Sequence, residues 1–159
     1  MGLDVVGKKL LTFKRMDSVR RALMIEAFAW LAIARLALLI FPFRHVAKHL
    51  GDLAPPAESA RARPMVSSRN DDTKLAEDIG WAVRRSAGYA PFKAVCLQQA
   101  IAAKVMLRRR GVQSALHFGV ARANPPKNGL EAHAWLDAAG AKVTGYPVSN
   151  IFTEIACFL

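Results

Sequence analysis

Two side chains in this 159-residue chain have the chemistry of a nucleophile and its base. Cys96 heads the run Cys96-Leu97-Gln98-Gln99-Ala100, and His133 sits within Ala132-His133-Ala134-Trp135-Leu136. An imidazole that takes the proton of a thiol leaves a thiolate able to attack a carbonyl. The imidazolium then returns the proton to the leaving amine. A third group normally orients the imidazole through its other nitrogen. The plainer reading of Cys96 is a small buried hydrophobe, the usual state of a free cysteine, and its helix alone leaves both readings open. His117 is a rival base on the strand nearest that helix, but nothing else favours it and it reads as structural. Cys157 lies in an apolar tail and reads as core. His45 and His49, four apart, have a spacing that metals use. Arg44 and Lys48 beside them repel a cation, and no further ligands follow at a suitable spacing. No metal and no cofactor is expected.

These residues need elements to hold them. Leu97, Ala100, Ile101, Ala102, Ala103, Val105, Met106 and Leu107 predict a helix apolar on most sides, hence buried. Pro91 places its start near Cys96, where unpaired N–H groups and the helix dipole favour thiolate. Arg108, Arg109 and Arg110 suit its negative end, and Gly111 suits the left-handed position just past it. The period then changes from helical to alternating. Ser114, Leu116, Phe118 and Val120 take one face of a half-buried strand, and Ala115, His117, Gly119 and Ala121 the other. After the loop Asn124–Gly129, a second strand over Glu131–Asp137 puts His133, Trp135 and Asp137 on one face. A third follows over Ala141–Tyr146.

Upstream, Met1–Thr12 has no clear period and reads as a short strand-like arm. Ser18–Phe41 is strongly helical and, at more than about 20 apolar positions, long enough to span a bilayer. Glu26 and Arg35 within it favour a buried or partner-facing helix instead, leaving peripheral membrane contact open. Arg44–Leu50 is a further short helix, and Asp52–Arg69, with its prolines, an extended linker. Asn70 caps a helix whose stripe is Leu75, Ile79, Ala82 and Val83. The expected division is an N-terminal helical region and linker over 1–69 and a core over 70–159. Helices followed by an antiparallel sheet make the fold class α+β.

Composition narrows the partners. The net charge of +11 suits an anionic partner, a membrane surface or a solvated basic exterior. The basic residues form no single stripe interleaved with exposed aromatics, which argues against nucleic acid. Two distant cysteines make no disulfide framework. No stretch resembles a cleavable signal peptide, so the cytoplasm is the expected compartment.

Cys96–Ala100, Leu107-Arg108-Arg109-Arg110-Gly111-Val112, Phe118-Gly119-Val120 and Ala132–Leu136, in this order and spacing, resemble the lasso-peptide leader peptidases. These are stand-alone, transglutaminase-like cysteine proteases known as lasso peptide biosynthesis B proteins. The resemblance runs from about Trp81 to Phe158, and Phe41-Pro42-Phe43-Arg44 is similar too. It implies a papain-like core, a central cysteine-bearing helix on a small antiparallel sheet. The implied activity is removal of the leader from a ribosomally made precursor peptide. Implied partners are the precursor, a separate leader-recognition protein and an ATP-dependent cyclase similar to asparagine synthetases.

Carried onto this chain, Cys96 is the nucleophile and His133 the general base and acid. Members often carry an aspartate where this chain has Val143-Thr144-Gly145. Asp137 shares a strand face with His133, but four residues along a strand separate their backbones by about 13 Å. Thr144 and Asn150 are therefore the better orienting candidates, and Gly145→Asp is expected to be tolerated or faster. The alternatives are a transglutaminase-like acyltransferase and a non-catalytic scaffold of a peptide-maturation complex.

Overall fold

Helices dominate the first part of the chain and strands the second, as the change of period predicts. The computed structural model describes residues 17–55, 70–122 and 129–159. In chain order these form α1 (Ser18–Ile40), α2 (Phe43–Ala47), β1 (Leu53–Ala54), α3 (Asn70–Ala87) and α4 (Cys96–Arg108), then β2 (Ser114–Arg122), β3 (Leu130–Ala138), β4 (Ala141–Thr144) and β5 (Thr153–Phe158). The strands make one five-stranded sheet in the order β1-β5-β2-β3-β4, with every neighbouring pair antiparallel. The fold is α+β. The expected arm over Met1–Thr12, most of the linker and most of the Asn124–Gly129 loop lie outside the described residues.

One core joins the helices to one face of the sheet. It includes Leu23, Ala27 and Leu31 of α1, Ile79 and Val83 of α3, and Ala103, Met106 and Leu107 of α4. Leu116, Ala134, Leu136, Val143 and Phe158 meet them from the strands. Among the described residues α1 packs against α3 and α4 and shares this core. Polar contacts lock the layers. Ser86 Oγ donates to Met24 O at 3.0 Å, and Thr73 Oγ1 to Ala139 O at 2.7 Å. Arg110 grips Glu26 with two hydrogen bonds of 3.2 and 2.6 Å, tying the end of α4 to α1.

Lys104 is the one charge buried on α4. Its Nζ donates to Ser114 O at 2.7 Å and Phe158 O at 3.1 Å, pinning α4 to β2 and β5. Burial, followed by repulsion from Arg108, pushes its pKa down to about 8. Gly111 adopts φ +74°, the expected left-handed turn that reverses the chain from α4 into β2.

Three expectations change. Thr153–Phe158 is not an apolar tail but an interior strand, with β2 on one side and β1 on the other. Leu53 and Ala54, expected to lie in an unpacked linker, pair with Phe158 and Cys157. With neighbours on both edges and residues Ser114 to His117 all buried, β2 is buried on both faces rather than half-buried. The helix α1 is long and apolar enough to cross a membrane by length and composition. Here Leu23, Met24, Ala27, Leu31 and Ala34 are instead buried in the core.

Candidate active site

Cys96 is the first residue of α4 and is partly buried. Two glutamines cinch the turn before it. Gln98 Oε1 accepts from Val95 N–H at 3.1 Å, and Gln99 Nε2 donates to Ala94 O at 2.9 Å. Valine at the N-cap has no side-chain acceptor, so it leaves the first-turn N–H groups without a side-chain cap. The thiol thus sits among backbone donors on a braced turn.

Spacing along α4 and β2 puts His133 toward the end of the sheet nearest the start of α4. Lys104 is fixed to Ser114, and Cys96 lies eight residues back, about 12 Å along a helix. Four residues along β2 from Ser114 cover about 13 Å and reach Phe118 and Gly119. Gly119 is the cross-strand partner of His133. The ring of His133 leaves β3 on the Trp135 side, away from the core side chains of Ala134 and Leu136. It lies 6.0 Å from the Trp135 ring and 5.1 Å from that of Phe152. Beyond Thr144 strand β4 has ended, and among the described residues no strand pairs with this edge of β3. Among the described residues no hydrogen bond joins Cys96 to His133.

The imidazole is oriented by the main chain. His133 Nε2 lies 2.7 Å from Gly145 O. A carbonyl only accepts, so Nε2 carries the hydrogen and Nδ1 is the lone-pair nitrogen of the neutral ring. None of Thr144, Asn150 and Asp137 makes this contact. Thr144 is fully buried, and its Oγ1 has no hydrogen-bond partner among the described residues. Asn150 is exposed after β4. Asp137 accepts from Tyr146 Oη and lies 3.4 Å from His117 Nε2.

The expectation for Gly145→Asp is overturned as well. Gly145 holds φ +81°, and a Cβ there would overlap Ala134 O and come within 2.8 Å of Trp135 Cα. Glycine at 145 lets the backbone approach His133. A sequence signal existed in the glycine itself, since close backbone approach is a common reason for one.

His117 is no rival base at this site. It is fully buried, with Nδ1 2.7 Å from Glu154 Oε1. Burial pushes its pKa down, but the two carboxylates beside it, Asp137 and the hydrogen-bonded Glu154, outweigh this and raise it overall. Cys157 is fully buried, as expected, and pairs across strands with His117. His45 and His49 are both exposed at α2.

Neither a curated protein nor a solved structure matches the chain. A family match does exist. Residues 37–157 fit the Transglutaminase-like superfamily, which includes cysteine peptidases and acyltransferases, and the matched span holds Cys96, His133 and Gly145. On that match, covering most of its length, the chain belongs to the transglutaminase-like superfamily.

Proposed function

We propose that this chain is a cysteine peptidase that removes the leader of a ribosomally made precursor in lasso peptide biosynthesis. The reading is supported by two separate observations, a thiol on a braced, uncapped helix start and an imidazole whose tautomer a main-chain carbonyl sets. In the proposed cycle His133 Nδ1 takes the Cys96 proton, and the thiolate attacks the carbonyl at the leader–core junction. First-turn N–H groups of α4 stabilise the oxyanion. The intermediate collapses to a thioester as the imidazolium gives its proton to the amine of the core peptide. Water then attacks the thioester, losing a proton to Nδ1, and the leader carboxylate leaves with Cys96 restored as the thiol.

The freed amine is the group that a separate, ATP-dependent cyclase would join to an acidic side chain. A separate leader-recognition protein would deliver the precursor, and the setting would be the cytoplasm. The words Cys96–Ala100 and Ala132–Leu136 in their order support the peptidase over other superfamily members. Leader release measured with precursor and recognition protein tests it. Cys96→Ala should abolish release, and Cys157→Ala should leave it largely intact. Appearance of a new amide in place of a free N-terminus would shift the assignment to an acyltransferase.

The missing hydrogen bond between Cys96 and His133 among the described residues favours a second reading, a non-catalytic scaffold. Labelling Cys96 with an electrophile at neutral pH separates the two. A working site reacts faster than an ordinary thiol, and a scaffold does not.

A further inference from the structure

On the sheet face that carries His133 lies a second polar group, which the proposed peptidase chemistry does not use. His117 is fully buried in β2, and the Trp135 ring stacks on it with centroids 5.4 Å apart. Its Nδ1 meets Glu154 Oε1 at 2.7 Å. Its Nε2 is 3.4 Å from Asp137 Oδ2 without forming a hydrogen bond. Cys157, also fully buried, is its direct cross-strand neighbour. Ligand atoms of His117, Glu154 and Cys157 all lie within 4.8 Å of one another.

The strand is built to make this meeting. Glu154 and Cys157 are three residues apart, which in a regular strand puts them on opposite faces. Phe118 pairs with Ala156 and Gly119 with Glu154, so Ile155 is an extra, unpaired residue. That bulge turns Glu154 onto the face of Cys157 and His117.

We propose that His117, Glu154 and Cys157 form a zinc site, with Asp137 supporting the imidazole from behind. One imidazole nitrogen, one thiolate and one carboxylate oxygen form a donor set that zinc accepts, with water completing four-coordination. Tetrahedral ligands around zinc stand about 3.3 to 3.6 Å apart, within reach of the separations here. The Nδ1–Oε1 hydrogen bond must open by rotation of Glu154, whose side chain is 19 % exposed and gives the ion its way in. Binding releases the thiol proton of Cys157 to solvent and removes the hydrogen from Nδ1, which leaves to solvent if the ring is imidazolium and moves to Nε2 if it is neutral, with no change of oxidation state. Asp137 Oδ2, 3.4 Å from Nε2, would close on the Nε2–H and hold the tautomer that turns Nδ1 to the metal. The ion would supply the positive charge that two carboxylates and a thiolate around one imidazole lack. It would also staple β2 to β5 behind Trp135, whose ring lies 6.0 Å from that of His133. This site does not depend on the peptidase reading.

The test uses the full chain, stripped with EDTA and titrated with Zn2+ against a chromophoric chelator. A parallel titration with Co2+ follows the thiolate-to-cobalt charge-transfer band. One equivalent should bind, with that band present. Glu154→Gln and Cys157→Ala should each weaken binding about tenfold or more, and Cys157→Ala should lose the band. Cys96→Ala and the His45→Ala/His49→Ala pair should bind like the parent. Circular dichroism reports folding, and should Cys157→Ala fail to fold, Glu154→Gln and the parent's cobalt band decide. No stoichiometric uptake would overturn the site. So would uptake indifferent to Glu154→Gln but lost with Cys96→Ala or with the His45/His49 variant.

Discussion

At the residue scale, the consequence of Gly145 is geometric. Gly145 brings its carbonyl to His133 Nε2 at 2.7 Å, which a residue with a Cβ could not do without displacing Ala134 and Trp135. A carbonyl orients the ring as a carboxylate would, but gives the imidazolium only a dipole instead of a full charge. Gly145→Asp is therefore expected to lose stability, by about 3 kcal/mol or more, from positive φ plus overlap. Its leader-release activity should fall with it. A chemical denaturation curve checks the first expectation, and unchanged stability would mean the loop can move away from β3. Asp137→Asn should keep most activity, because Asp137 faces Tyr146 and His117. His133→Ala should be as damaging as Cys96→Ala and the double variant no worse, as for residues of one catalytic unit. Cys96 and His133 stood out as candidates in the sequence because a nucleophile and a base have their own letters. A main-chain acceptor has none, so the orienting group went to Thr144 and Asn150 instead.

At the scale of elements, legibility followed regularity. The helices α1, α3 and α4 and the strands β2 to β4 were readable as elements from length, composition and pattern, although β2 proved buried on both faces. In β5 the bulge at Ile155 breaks the alternation, so Glu154 and Cys157 share a face that no simple count predicts. Strand β1 is two residues long and followed by proline, too short to carry any period. Contacts between elements were equally hidden, since Glu26 and Arg110 lie far apart in the chain. Their pairing makes a pH prediction. The Arg110 hydrogen bonds hold the Glu26 carboxyl below its usual value, against an opposing push from burial. A carboxyl with a lowered folded pKa adds stability that is full above the unfolded value of 4.5. That stability is lost as pH falls through the folded one. Glu26→Gln should cost about 1 kcal/mol at neutral pH and progressively less as pH drops below 4.5. Urea titrations of both proteins at several pH values measure this, and a difference independent of pH would show that packing, not charge, holds α1 to α4.

Over the whole molecule, α1 is apolar on two opposite sides. At about 100° per residue, Leu23, Ala27, Leu31 and Ala34 point one way, into the core. Ile25, Ala29, Ile33, Leu36 and Ile40 point the other way, and Ile25, Ile33, Leu36 and Ile40 are large hydrophobics exposed by 62, 49, 55 and 67 %. Phe41 and Phe43 extend the same apolar surface. A helix that needed only to pack on α3 and α4 would carry polar residues on its outer side. A contiguous apolar stripe of this length on a domain surface marks an interaction site. If the recognition protein of the proposed pathway docks there, Ile33→Ser together with Leu36→Ser should weaken its binding strongly. The same pair should leave the thermal midpoint of the isolated chain nearly unchanged, because neither side chain lies in the core. The unassisted cleavage rate, expected to be low, should also stay the same. Calorimetric titration of the partner and leader release with and without it supply the two readouts. Equal binding by parent and variant would send the recognition protein elsewhere. Loss of vesicle binding in its place would make this outer stripe a membrane-facing surface.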